Sequence, residues 1–217
     1  MGAPKDDIDA GGVLPAFSGV LVRDGYAGYE HLTQALHAWC GAHLLRDLRS
    51  ISDVDPDGQL WATAMANTLI EAHHAARGAR DRGATALDAV VLTAIRNHYR
   101  GALARGRDDN RGKSGTLATD ARTLIRRFHR YEDMILRFAT DLTVPFTNNL
   151  AERAVRPVKI QQRTSGGAWR TLAGLIDFAI VQSYLDTATK WGHDKLDTLQ
   201  QLFTTGAWLP PALTPAE

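Results

Sequence analysis

Ser18-Gly19-Val20-Leu21-Val22-Arg23-Asp24-Gly25 is the stretch on which the fold turns. Val20, Leu21 and Val22 form a short apolar run, mostly β-branched, closed by an Asp-Gly pair. Such a run between turn formers predicts a buried strand. A carboxylate directly behind a buried strand projects into the crevice where α/β folds bind ligands. The same Asp24-Gly25 pair also reads as a plain turn, and the pattern alone leaves both readings open.

Working outward, residues 1–17 carry Gly11-Gly12 and Pro15 and read as an irregular lead-in. Residues 26–35 predict a helix, and residues 37–40 a second strand. A helix is expected over 44–49 and a turn at 53–58, punctuated by Pro56 and Gly58. Beyond it the pattern is helical. Residues 60–79 are Ala-rich with few breakers, and 85–103 repeat apolar residues at Leu87, Val91, Ile95 and Tyr99, one helix face. The polar, Gly-containing stretch 101–115 reads as an exposed loop. Residues 117–140 predict one helix, with Leu124, Phe128, Tyr131, Ile135 and Phe138 facing a core. Asn149 opens a short helix that Pro157 is expected to end or kink. A turn at 164–167, helices over 169–190 and 196–204, and a Pro-rich tail complete the chain.

Composition narrows the function classes. The chain has 217 residues, 44% hydrophobic and 23% charged, as in ordinary globular proteins. Cys40 is the sole cysteine, so no internal disulfide forms and no oxidising compartment is implied. No run of 18 apolar residues reads as a membrane span, and the start lacks a signal-peptide pattern. A cytoplasmic protein without membrane partners is expected. Net charge is only +1, yet residues 121–170 hold ten Lys or Arg against four Asp or Glu. That local excess points to a polyanion or, equally, to a solvated helix face.

Three groups could carry chemistry. In Asn148-Asn149-Leu150-Ala151-Glu152-Arg153, Asn149 as N-cap puts Glu152 at the third helical position, a capping-box variant. The alternative is that Glu152 is a metal ligand, since carboxylates from distant chain positions can share Mg²⁺. Arg153, Arg156, Lys159 and Arg163 fall within about a third of a helix circumference at roughly 100° per residue, a phosphate-contacting stripe if the helix survives Pro157. His37, Cys40 and His43 lie three apart, half of a structural zinc site with no second half. A packed, metal-free role is expected of them.

Taken in order, Val22-Arg23-Asp24-Gly25-Tyr26-Ala27-Gly28-Tyr29, Cys40-Gly41-Ala42-His43-Leu44-Leu45-Arg46, Asn148 to Arg153, Arg156-Pro157-Val158-Lys159 and Ser165-Gly166-Gly167 resemble transposases of the insertion-sequence-66 family. The lead-in from Ile8 to Pro15 is similar too, so the resemblance spans nearly the whole chain. It implies a ribonuclease-H-like α/β fold with an Asp-Asp-Glu (DDE) triad. Asp24 would be the second Asp, at the end of strand four, and Glu152 the catalytic Glu. Residues 37–40 would be strand five. Domains follow as 18–58 for a partial core, 59–142 for a helical insertion, 143–205 for the Glu-bearing part and 206–217 for a tail. The implied chemistry is DNA transposition in a bacterial mobile element. Water cuts at the transposon end, and the freed 3′-hydroxyl then attacks target DNA, with Asp24 and Glu152 binding Mg²⁺ or Mn²⁺. Arg153, Arg156, Lys159 and Arg163 would contact DNA, while Cys40, His43, Asn148 and Asn149 would support the site.

Strands one to three and the first Asp are expected upstream of Met1. The chain is therefore expected to be truncated, mostly helical with about two strands, and inactive alone, unless another transposase polypeptide or a second copy completes it. A DNA-binding remnant or a helical interaction protein are the alternatives.

Overall fold

In the computed structural model, residues 5–163 and 171–211 are described. The chain divides into a first unit ending at Asn148 and a second beginning at Asn149.

The first unit opens with a short helix, α1 (Lys5–Ala10), and a 3-10 turn (Leu14–Ala16), so the lead-in expected to be irregular is partly helical. Two strands follow, β1 (Val20–Arg23) and β2 (Leu36–Trp39), which pair in parallel with Val20 opposite Leu36 and Arg23 opposite Trp39. They are the strands predicted from the two apolar runs. The helix expected over 26–35 is absent: the crossover holds one 3-10 turn (Ala27–Tyr29) and successive backbone bonds of i+3 type, Glu30 to Ala27, Leu32 to Tyr29 and Ala35 to Leu32. Gly25 and Gly28 weaken helix here. The Tyr26 carbonyl accepts both the Tyr29 amide at 3.5 Å, a 3-10 bond, and the Arg23 guanidinium at 3.1 Å.

Six helices then build the body: α2 (Gly41–Ser52), α3 (Leu60–Asp81), α4 (Ala89–Asp109), α5 (Thr116–Arg130), α6 (Glu132–Ile135) and α7 (Arg137–Thr140). α3 is the central element. Trp61, Met65, Leu69, Ala72 and Ala76 repeat at spacings of three and four and are completely buried, as a core-facing helix stripe requires. The alanines let neighbouring backbones come close. Opposite them α4 presents Ile95, Tyr99, Ala102, Leu103 and Gly106, all buried.

α4 corrects the expectation of a loop over 101–115. Asp88 caps the helix, accepting from the Val90 and Val91 amides, and the helix runs on to Asp109. The polar sequence 105–111 hides two inward positions. A Cβ on Gly106 would come within 2.7 Å of the Trp61 ring, so this glycine marks a close helix approach, not a turn. Asn110, fully buried, donates to Gln59 Oε1 at 3.1 Å and to the Gly106 carbonyl at 2.9 Å. Gln59 donates back to Asn110 Oδ1 at 2.9 Å, and Trp61 donates to Gln59 Oε1 at 2.6 Å. The buried polar groups are mutually satisfied, which removes most of their desolvation cost.

The single helix expected over 117–140 is three, broken at Tyr131 and Leu136. Leu124, Phe128, Ile135 and Phe138 are all buried; at about 100° per residue one straight helix would also put them on a single face, so their spacing carries no sign of the breaks. Tyr99 donates to the Phe128 carbonyl at 2.8 Å near the first break.

The second unit consists of α8 (Asn149–Arg163), α9 (Leu172–Lys190) and α10 (Lys195–Thr204). Thr171 caps α9 through the Gly174 amide, and Asp194 caps α10 through Leu196 and Asp197. Pro157 lies inside α8, so of the expected end or kink the end does not occur. Its ring removes one backbone donor, and the helix tolerates that loss. The turn expected at 164–167 lies outside the described residues. Among the described residues no helix is long and apolar enough to cross a membrane.

Candidate functional site

β1 ends in Arg23, 97% withdrawn from solvent, and everything at this end of the sheet is arranged around it. Its Nε donates to His37 Nδ1 on β2 at 2.9 Å, and one terminal nitrogen donates to the Asp24 and Tyr26 carbonyls at 3.0 and 3.1 Å. The guanidinium also lies 5.6 Å from the centre of the Trp39 ring. Burial lowers its pKa, opposed by Glu30, Tyr131 and Asp24. Arg23 thus fixes the backbone on both sides of Asp24.

Asp24 follows as the first residue past the strand, partly buried. Its Oδ1 accepts the Tyr26 amide at 3.0 Å, an Asx turn that orients the carboxylate. Oδ2 holds no hydrogen bond among the described residues. Gly25 keeps space beside it: a Cβ there would meet the Trp39 ring at 3.1 Å, a tight contact. Both readings of Asp24-Gly25 are therefore present at once, a tight turn and a carboxylate at a strand's carboxyl end. Tyr29, which the sequence did not single out, senses this carboxylate. Its phenol is pushed up first by burial and then by the charge of Asp24.

β2 leads directly into α2 through Cys40. The Cys40 amide donates to the Arg23 carbonyl at 2.8 Å, extending the ladder, and its side chain is wholly buried. Its Sγ accepts the Asn148 amide at 3.5 Å. Next to it the Gly41 amide donates to the Phe146 carbonyl at 2.7 Å, and a Cβ on Gly41 would collide with the Phe146 ring. The segment ending in Asn148 is thereby fastened across the β2–α2 junction. The Asn148 Oδ1 is buried without a hydrogen-bond partner among the described residues. His43 sits in the first turn of α2.

His37 does not belong with Cys40 and His43 as a zinc ligand. Its Nδ1 accepts from Arg23, and its Nε2, the protonated nitrogen, donates to the Leu32 carbonyl at 3.0 Å. Both ring nitrogens are spent on holding the crossover. His73, on α3, stacks on Phe146 at 4.5 Å between ring centres, with Phe138 edge-on to the same ring at 4.7 Å. A histidine seven residues before a run of charged positions carries no sequence signal for such a contact.

In the second unit Glu152 lies in the first turn of α8, partly buried, where the helix dipole favours a negative charge. Asn149 is the first residue of that helix. Arg153, Arg156 and Lys159 are exposed along it, and Arg163 is its last residue. Because the helix is uninterrupted, these four positions stay within roughly a third of its circumference.

Comparison with known proteins gives two matches. A family model described as "Transposase IS66 family" matches residues 7–175. A protein of Sinorhizobium fredii named "Uncharacterized protein y4qI" is 26% identical over 214 aligned residues, which cover 88% of this chain and 36% of that protein. The chain thus spans about a third of the length of the curated relative it matches. No solved structure matches it.

Proposed function

We infer that this chain, which belongs to the IS66 transposase family, contributes two carboxylates, Asp24 and Glu152, to a divalent-metal site for DNA strand transfer. The observation that carries the reading is Asp24: directly behind β1 of a parallel pair, its carboxylate oriented by one backbone amide and left with a free oxygen. The family layout asks for an Asp at the end of such a strand. It asks for the Glu on a helix beyond the next strand, and Glu152 lies on α8, after β2 in chain order.

The donor set suits a hard cation. Asp24 and Glu152 are oxygen ligands, the type Mg²⁺ and Mn²⁺ take, and in the first unit Asn148 adds an amide oxygen with no hydrogen-bond partner among the described residues. When bound, such an ion would activate the attacking oxygen and neutralise charge on the phosphoryl group. Arg23 and Gly25 hold the Asp24 backbone, and Cys40 and Gly41 hold the chain leading to Asn148. A ribonuclease-H-like arrangement of the complete sheet is part of this proposal, as is the DNA itself.

The test is Mn²⁺ binding by the purified chain, followed by electron paramagnetic resonance. Asp24→Asn and Glu152→Gln should each weaken binding by about tenfold or more, since even the loss of a group that only orients a ligand costs about that much. Affinity unchanged in both variants would sink the assignment.

A second role rests on the uninterrupted α8. Arg153, Arg156, Lys159 and Arg163 would follow a DNA backbone whether or not the carboxylates act. Arg153→Ala with Arg156→Ala should lower the slope of log affinity against log salt on duplex DNA by about two. An unchanged slope would remove DNA contact from α8.

A further inference from the structure

The helical part of the first unit carries its own concentration of positive charge. From Arg100 to Arg130, cations outnumber carboxylates nine to three, whereas from residue 53 to 99 carboxylates outnumber cations six to four. Many of the nine are neutralised or tied down. Arg105 pairs with Asp109, Arg111 with Asp108 and Arg127 with Asp47. Arg100 makes a two-pronged bond to Glu132, at 3.1 Å from Nε and 2.8 Å from Nη2. Arg122 is spent on the Asn110 and Lys113 carbonyls.

Of the four that remain, Lys113 lies in the turn between α4 and α5 and the other three are Arg107, Arg126 and Arg130. Arg107 near the end of α4, and Arg130 at the end of α5, have no carboxylate partner among the described residues. Arg126, one turn before Arg130, bonds only the Thr123 hydroxyl at 3.0 Å. Arg130 is steadied by the ring of Tyr131, 5.3 Å away. Arg107, Arg130 and His129 border one open hollow of about 460 Å³, together with Arg100, Leu103, Glu132 and Asp133. Glu132 is occupied by Arg100, so the acidic side of the hollow is half spent, while two guanidiniums face it uncommitted.

We propose that this hollow and the adjoining face of α5 form a second phosphate-binding surface, which seats the backbone of duplex DNA on the helical body of the first unit. Guanidinium forks fit phosphate oxygens in pairs and hold them with charge-assisted bonds. An acidic peptide fits less well. The single aliphatic residue in the lining, Leu103, is only 2% exposed, so there is no apolar socket to anchor a side chain. A contact made by exposed arginines to a repeating polyanion needs no such socket. This surface shares with α8 only its partner, and it involves neither Asp24 nor Glu152.

The test is salt-dependent binding of the full chain to a 30-base-pair duplex. Arg107→Ala with Arg130→Ala should reduce the slope of log affinity against log salt by about two. Arg107→Lys with Arg130→Lys, which retains charge, should recover most of it. Arg77→Ala with Arg82→Ala removes two other exposed arginines of the same unit and should leave the slope nearly unchanged. All four arginines are exposed, so folding is not at stake, and matching circular dichroism melts will verify it. The proposal is overturned if the Arg107/Arg130 slope matches wild type, or if the Arg77/Arg82 pair costs as much. It is overturned equally if the chain does not bind the duplex, or if polyglutamate competes as well as DNA at equal charge. Loss of slope in the α8 variant alone would uphold α8 and reject this surface; loss here alone would do the reverse.

Discussion

The two units solve the burial problem differently. The first encloses one continuous core, from Ala38 and Trp39 on β2 through α3 and α4 to Phe146, with Trp61, Met65, Leu69, Tyr99 and Phe128 fully withdrawn from water. In the second, the described helices bury little beyond Leu185, Ala188 and Thr198, and leave Leu172, Ile176, Ile180 and Phe203 in the open. α9 is apolar almost all round, so no single stripe tells which face turns inward. In the first unit, stability and site geometry rest on packing. In the second, the proposed functional residues are the charges along α8.

That contrast is most sharply broken at Trp61 and Ile176. Trp61→Ala removes a fully buried ring and one of the two donors to Gln59 Oε1, and should cost about 3–5 kcal/mol in urea unfolding of the whole chain. Ile176, 48% exposed, should cost less than about 0.5 kcal/mol when changed to Ala. If the two losses prove comparable, the second unit has a core that these helices do not reveal, and the comparison fails.

A middle-sized effect tests whether polar groups in the first unit are as integral as apolar ones. Asn110→Ala strands the Gln59 amide, an unpaired buried group worth about 1–3 kcal/mol. The double change with Gln59→Leu removes both partners and should cost less than the two single changes together, which a double-mutant cycle will measure. Strict additivity would mean that the pair does not act as a unit.

Much of this was legible in the sequence, and the misses have physical causes. β1 announces itself because an apolar β-branched run ending in a turn former has few other uses; β2, with no β-branched residue, rests on a short apolar run alone. The length of α3 is plain from its alanines. The last two turns of α4 were hidden because Gly106 and Asn110 look like loop residues until Trp61 and Gln59 are beside them, contacts 45 and 51 residues away in sequence. The breaks at Tyr131 and Leu136 fall where no Gly or Pro stands, so no breaker residue marks them. At the site, Asp24 behind a strand and Glu152 in a first helical turn were readable. The Arg23–His37 bond that fixes the strand end was not, because a buried Arg–His pair has no periodicity. Nor does Pro157 reveal in sequence that a helix will absorb it.

The smallest effect concerns His73, the histidine whose ring covers Phe146. Its pKa is lowered from the ordinary value of 6.5, first by burial and then by Arg80, His74 and Arg77. The folded chain therefore holds the imidazole neutral where the unfolded chain would bind a proton. The unfolded state takes up more protons just below pH 6.5, so stability is present above that pH and falls as pH drops through the window beneath it. His73→Phe keeps an aromatic ring on Phe146 and removes the titration. Other groups titrate over the same range, so the quantity to read is the wild-type melting temperature minus that of the variant, followed from pH 7.5 to 5. It should decline as the solution is acidified. A flat difference would mean that His73 opens to water before it protonates, and that the clamp holding residues 144–148 on the β2–α2 junction depends on the Gly41 and Cys40 bonds instead of the stacked ring.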